Sequence, residues 1–191
     1  MPVPTRDEAF VLLKKYNSGD SLIKHALAVE AVMRHFAALY GEEEEKWGII
    51  GLAHDLDYEQ YPGQHCAMTK KILEEGNWPP EYIRAIISHG WGICTDVEPV
   101  ERMEKVLYAV DELTGLVTAS ALVRPGKSIL DMEAGSVKKK WKVKTFAAGA
   151  NREVIEKGAQ MLGVDIEFLI QETIAGMRKV APAIGLAGSL T

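Results

Sequence analysis

Cysteine is scarce. Cys66 and Cys94 are the only two in 191 residues, too few for a disulfide-built scaffold and suited to a reducing compartment. No apolar run approaches the roughly 18 residues that a membrane span needs. The opening Met1-Pro2-Val3-Pro4-Thr5-Arg6 lacks the apolar stretch of a secretory leader. A soluble cytoplasmic chain with no membrane partner is the expectation. An excess of basic residues is missing as well. Lys and Arg total 22 against 27 Asp and Glu, giving a formal charge of −5 and a pI near 5.6, which argues against a dedicated nucleic-acid binder. Sustained strand alternation, internal repeats, a Walker-type phosphate loop and a nucleophilic serine motif are all absent from the sequence.

What remains is helical periodicity in a chain that is 47% hydrophobic, enough for one core and one domain over residues 1–191. Thr5 and Glu8 have capping-box spacing, and Phe10, Leu13 and Tyr16 follow on one face. A second helix, capped by Asp20 or Ser21, carries Leu22, Val29, Val32, Phe36 and Leu39 and stops at Gly41. Glu42 to Glu45 open a third, with Trp47, Ile50, Ala53 and His54 inward. A fourth is expected from about Gln64 to Glu75, and a fifth from Pro79-Pro80 with Ile83, Ile86 and Ile87 inward. Glu98-Pro99 restarts a long helix bearing Met103, Leu107, Val110, Thr114 and Val117. Between residues 124 and 150 the pattern weakens. Asn151 and Asp165 then cap two last helices, to Leu162 and about Val180, and a tail with Pro182, Gly185 and Gly188 is expected to fray. The fold class is all-α: a helical bundle with a core over about 18–120 and a C-terminal helical extension over about 135–185.

Chemistry concentrates in the histidines and in a few aspartates. His25 falls three residues after Leu22 and four before Val29, so its ring should point inward. His54 lies four after Ile50 and is followed by Asp55; His65 opens the expected fourth helix, and His89 lies three after Ile86. Asp111 stands four after Leu107, on the apolar side of its helix. Ionisable groups on apolar faces are costly unless paired or bound to a cation, and imidazole with carboxylate is the ligand set of first-row divalent metals. His35 adjoins Arg34 and is expected at the surface.

The order His25, His54-Asp55, Asp111 resembles the HD-domain metal-dependent phosphohydrolase superfamily. So do the local sequences His25-Ala-Leu-Ala-Val-Glu30, Gly51-Leu-Ala-His-Asp55 and Ala109-Val-Asp-Glu-Leu-Thr114. Phe146-Ala-Ala-Gly-Ala-Asn-Arg-Glu153 is similar to the tail of a branch of predicted HD hydrolases. The resemblance implies a metal held by His25, His54, Asp55 and Asp111, with His65 and His89 where dinuclear members bind a second. One or two divalent ions (Mn, Fe, Co, Ni, Zn or Mg) are implied. The chain departs from the phosphodiesterase pattern, reading His54-Asp55-Leu56-Asp57 instead of His-Asp-Ile-Gly and following His89 with Gly90-Trp91. The implied activity is hydrolysis of a small phosphate ester, nucleotides included, by metal-activated water that Asp55 orients. Asp57 and Glu112 are acid-base or orienting candidates, and Lys70, Lys71 and Arg124 are candidates for phosphate contact.

Other features have plainer readings. Lys138 to Lys144 surround Trp141, a pattern that suits a solvated face with the indole inward better than a nucleic-acid contact. Cys66 and Cys94 neighbour the site histidines but match no zinc spacing. Trp91 is a candidate pocket residue, and Trp47 a structural one. Two other functions compete: a di-iron oxygenase using the same four histidines and two aspartates, and a non-catalytic module organised by a metal or ligand.

Overall fold

Local chemistry sets most helix ends in the computed structural model, which describes residues 3–188. Thr5 caps α1 (Arg6–Tyr16), accepting from the Glu8 N–H while the Glu8 carboxylate accepts from the Thr5 N–H at 2.8 Å. α2 (Asp20–Tyr40) has Gly19 at its cap, so Asp20 is the first helical residue and neither Asp20 nor Ser21 caps it. It stops at Gly41, whose φ of 70° only glycine adopts without cost. α3 (Glu44–Leu52) follows the acidic run. The fourth helix starts later than its sequence pattern suggests. Pro62–Gln64 make a 3₁₀ turn and Cys66 has a left-handed φ of 66°, so α4 spans Ala67–Glu75 and His65 lies outside it. α5 (Pro80–Ile87) runs into a second 3₁₀ turn, Ser88–Gly90. α6 (Arg102–Leu122) begins at a Glu101/Glu104 capping box. α7 (Ala134–Trp141) occupies the weakly patterned stretch, and Asn151 and Asp165 cap α8 (Arg152–Leu162) and α9 (Ile166–Arg178) as expected.

The architecture is all-α. Among the described residues there are nine α-helices, and the only β pairing is two isolated bridges. The long helices α2 and α6 pack on each other, with α3 and α9 against α2 and α8 against α6. α3 approaches α2 closely enough that a β-carbon on Gly51 would lie 2.8 Å from Met33 Cγ and 3.1 Å from the Val29 carbonyl. That contact fixes the end of α3, where His54 and Asp55 follow. One hydrophobic core runs from Ala9 to Leu186 and includes Phe36, Ile50, Leu107 and Leu113. Leu39 does not join it: the buried face of α2 centres on Val29, Met33 and Phe36, and Leu39 at its edge is 47% exposed.

The tail also departs from expectation. Ala181, Ile184 and Leu186 are buried, the Ile129 N–H donates to the Leu186 carbonyl at 2.9 Å, and Arg178 Nε donates to the Ile129 carbonyl at 3.1 Å. Docking onto residues 128–132 offsets the lack of helix after Arg178. No helix among the described residues is long and apolar enough to cross a membrane.

Candidate metal centre

Five elements deliver six side chains to one place. His25 comes from the second turn of α2, His54 and Asp55 from the turn after α3, and Asp111 from the middle of α6. His65 follows the first 3₁₀ turn and His89 sits in the second. In the first group, His25 Nε2 is 3.1 Å from His54 Nε2 and 3.0 Å from Asp111 Oδ1, and His54 Nε2 is 3.3 Å from the same oxygen. In the second, His65 Nε2 and His89 Nε2 are 3.1 Å apart. Asp55 faces both groups. Its Oδ2 lies 3.6 Å from His25 and 3.3 Å from His54, while its Oδ1 lies 3.5 Å from His65 and 3.5 Å from His89.

The outer nitrogens explain which atoms point inward. His54 Nδ1 lies 2.8 Å from the Gly51 carbonyl and His89 Nδ1 lies 2.6 Å from the Ile86 carbonyl. A carbonyl only accepts, so both protons sit on Nδ1. His65 Nδ1 donates to Asp57 Oδ1 at 2.7 Å. The Thr114 hydroxyl spends its proton on the Asp111 carbonyl at 2.7 Å, which leaves its oxygen to accept from His25 Nδ1 at 3.4 Å. In neutral form all four rings therefore aim an Nε2 lone pair at another lone pair or at a carboxylate. Such an arrangement repels itself unless a cation lies among the donors, and the outer partners are the kind that orient metal-binding histidines.

The electrostatics agree. Burial opposes charge on His54, yet Asp55 and Asp111 outweigh it and raise its pKa well above the usual 6.5. Burial favours a neutral Asp55, but His54, His89 and His25 hold it well below the ordinary carboxylate range. Asp111 is lowered in the same way, against burial, by His54 and His25. His65 is raised by Asp57 and Asp55 against the effect of burial. The carboxylates select positive charge, as protons or as metal. The donor set fits divalent metal ions: His25, His54, Asp55 and Asp111 offer ligand atoms within 4.8 Å of one another, as do His65, Cys66 and His89.

A cavity of about 450 Å³ opens over His25, Asp55, His65, His89 and Asp111, with His54 buried beneath, and is walled by Leu22, Tyr58, Ile93 and Glu112 and by Ala147, Gly149 and Ala150. Glu112 Oε2 accepts from the Asn151 N–H at 2.9 Å, and burial with the adjacent Asp111 charge raises its pKa. Asp57 is fully buried and does not line the cavity; its Oδ2 accepts from the Thr69 N–H at 2.8 Å, so it orients His65. The three basic candidates lie elsewhere. Lys70 and Lys71 extend beside Glu74 and Glu75 on α4, and Arg124 is held by Asp131 at 2.8 Å. No lysine or arginine is among the residues lining the cavity.

Other placements differ too. Trp91 packs at a tilt against Tyr108, with Lys157 Nζ 3.5 Å from its ring centre, and Ile93 takes the cavity position instead. His35 is not a free surface residue, since its Nε2 meets Glu172 Oε2 of α9 at 2.6 Å. Trp141 packs partly inward and donates to Glu156 at 2.9 Å, while Lys138 pairs with Glu167. Sequence reasoning missed Tyr58, whose ring stands edge-on to His65 at 5.2 Å, and Arg152. Arg152 donates to the carbonyls of Phe146, Ala147 and Ala150 and so shapes the cavity rim. The Phe146–Glu153 segment was the signal that could have pointed to it. No protein-family model, curated protein or solved structure matches the chain significantly.

Proposed function

We propose that the chain is a divalent-metal-dependent phosphohydrolase of the HD-domain type that acts on a small phosphate ester. The observation that carries this reading is Asp55. Its two oxygens face two pairs of histidines, each presenting Nε2 with Nδ1 already bonded outward. His25, His54, Asp55 and Asp111 would hold one ion, and His65 and His89 with Asp55 a second. A divalent cation, when bound, lowers the pKa of water and offsets the charge of a phosphoryl group. Asp55 orients what it faces in both groups. Glu112 Oε2 is taken by Asn151, so its Oε1 is the oxygen free to carry a proton to the leaving group.

The cavity wall bears on the substrate. With no lysine or arginine among the described residues that line it, the cavity wall offers no cation to a second or third phosphate. Leu22, Ile93, Ala147 and Ala150 present apolar surface, which suits an ester with a single phosphoryl group on a compact organic moiety, such as a nucleoside monophosphate. The test is hydrolysis of p-nitrophenyl phosphate and a nucleotide panel by protein stripped and reloaded with Mn, Fe, Co, Ni, Zn or Mg. Activity that needs metal and disappears in His54→Ala and Asp55→Ala supports the reading. Unchanged metal content and turnover in both variants would sink it. The convergence of four histidines and two aspartates also suits a di-iron oxygenase. Iron-dependent dioxygen uptake without phosphate release would favour that alternative.

A further inference from the structure

Cys66 and Cys94 have no part in the reading above, yet their sulfurs meet. Sγ to Sγ is 2.8 Å, across 28 residues of sequence. A disulfide bond measures about 2.05 Å, so closing the gap needs less than an ångström. The backbone holds both sulfurs where they are. Cys66 keeps a left-handed φ of 66° between the first 3₁₀ turn and α4, a conformation rare for residues with a β-carbon. Cys94 sits in a tight turn in which the Ile93, Cys94 and Thr95 N–H groups all donate to the Gly90 carbonyl, closed by a bridge between Trp91 and Thr95. Gly90 makes room, because a β-carbon there would collide with both sulfurs. Access is asymmetric: Cys66 is 2% exposed and Cys94 is exposed.

We infer that Cys66 and Cys94 form a reversible intrachain disulfide by exchange with a small-molecule disulfide such as oxidised glutathione. Cys94, as thiolate, attacks one glutathione sulfur and expels the first glutathione, leaving a mixed disulfide on Sγ of Cys94. Cys66 then loses its proton, attacks Cys94 Sγ and expels the second. Two protein thiols and one oxidised glutathione thus become one protein disulfide and two reduced glutathiones. The bond ties the segment that carries His65 to the turn that follows His89. It also removes Cys66 Sγ, as a free thiol sulfur, from the atoms within ligand reach of those rings.

The test treats the full chain with oxidised glutathione, counts thiols and maps linked peptides by mass spectrometry. Wild type should lose both thiols and the mass of two hydrogen atoms, keep no glutathione, and regain both thiols with dithiothreitol. Cys66→Ser should stop at a glutathione adduct on Cys94, and Cys94→Ser should keep Cys66 unmodified while folded. Folded wild type that keeps two free thiols, or a stable glutathione on Cys94, overturns the inference without any variant. Metal titration of both forms separates this from the proposed function. A chain that oxidises as described but binds no metal in either form overturns the metallohydrolase alone; one that binds metal while its thiols never join overturns the disulfide alone.

Discussion

His25 and Glu30 stand five residues apart on α2, and each belongs to a partly or fully buried ionisable cluster. Around Glu30, acceptors meet donors. Its Oε1 accepts from Arg6 Nε at 2.6 Å and Arg34 Nε at 3.0 Å, its Oε2 from Arg6 Nη2 at 2.9 Å, and Arg34 goes on to Glu45 at 2.7 Å. Around Asp55, with the rings neutral, acceptors meet acceptors: two carboxylates and four Nε2 atoms whose rings have their protons on the far side. Burial is common to both, so burial alone does not mark a site. The mismatch of donors does. The Glu30 cluster holds helices together with the charges it already has, and the Asp55 cluster is complementary to a cation.

The sharpest way to break this contrast is at Asp55 itself. Asp55→Asn keeps the shape but removes the charge both histidine pairs face, and elemental analysis should find the metal gone from both groups, with hydrolysis at the level of metal-stripped protein. Glu30→Ala should do the opposite. It leaves the Arg6 and Arg34 charges without their carboxylate, a loss of about 2 kcal/mol in denaturant unfolding given their partial exposure, with metal content unchanged.

Smaller effects sharpen the picture. Asp57→Asn weakens the hold on His65 Nδ1 and should cost roughly 10- to 100-fold in affinity at the His65 and His89 end, read by metal titration, while the group around His25 keeps its ion. The pH dependence follows from His54. Its pKa is raised above 6.5 by Asp55 and Asp111, so in metal-free protein its charged form adds stability that is full below 6.5 and is lost as pH rises through the raised value. Metal needs the neutral ring, so uptake should strengthen over that same rise, with proton release seen by calorimetry in two buffers. Asp55 and Asp111 are lowered, so their contribution is present above the ordinary carboxylate pKa and fades only as pH falls through their depressed values. Lys138→Ala, at a solvent-exposed pair with Glu167, should leave the denaturant midpoint and the activity unchanged.

Much of the site was readable because its residues break local patterns. His25 and Asp111 are polar side chains on the apolar stripes of α2 and α6, and spacing alone turns them inward. Asp57 was readable only as a candidate. Its role as orienter depends on Thr69 and His65, which reach it through the turn that Pro62 and Cys66 impose. The lysines of α4 show the reverse. Their charge suggested phosphate, but the direction in which α4 faces belongs to its packing against α5, and they point away from the cavity.

Helix class, the capping residues Thr5, Asn151 and Asp165, and the inward turn of His25 and Asp111 followed from the order of residues. Each depends on neighbours within about one helical turn. The pairing of His65 with His89, the two-sided placement of Asp55, the contact of Cys66 with Cys94, the rim built by Arg152 and the docked tail came from elsewhere. They join residues on separate segments, and no local spacing specifies the angle and distance at which α2, α3 and α6 pack. Those are decided by close approaches such as Gly51 against Met33, which exist only once the core has assembled.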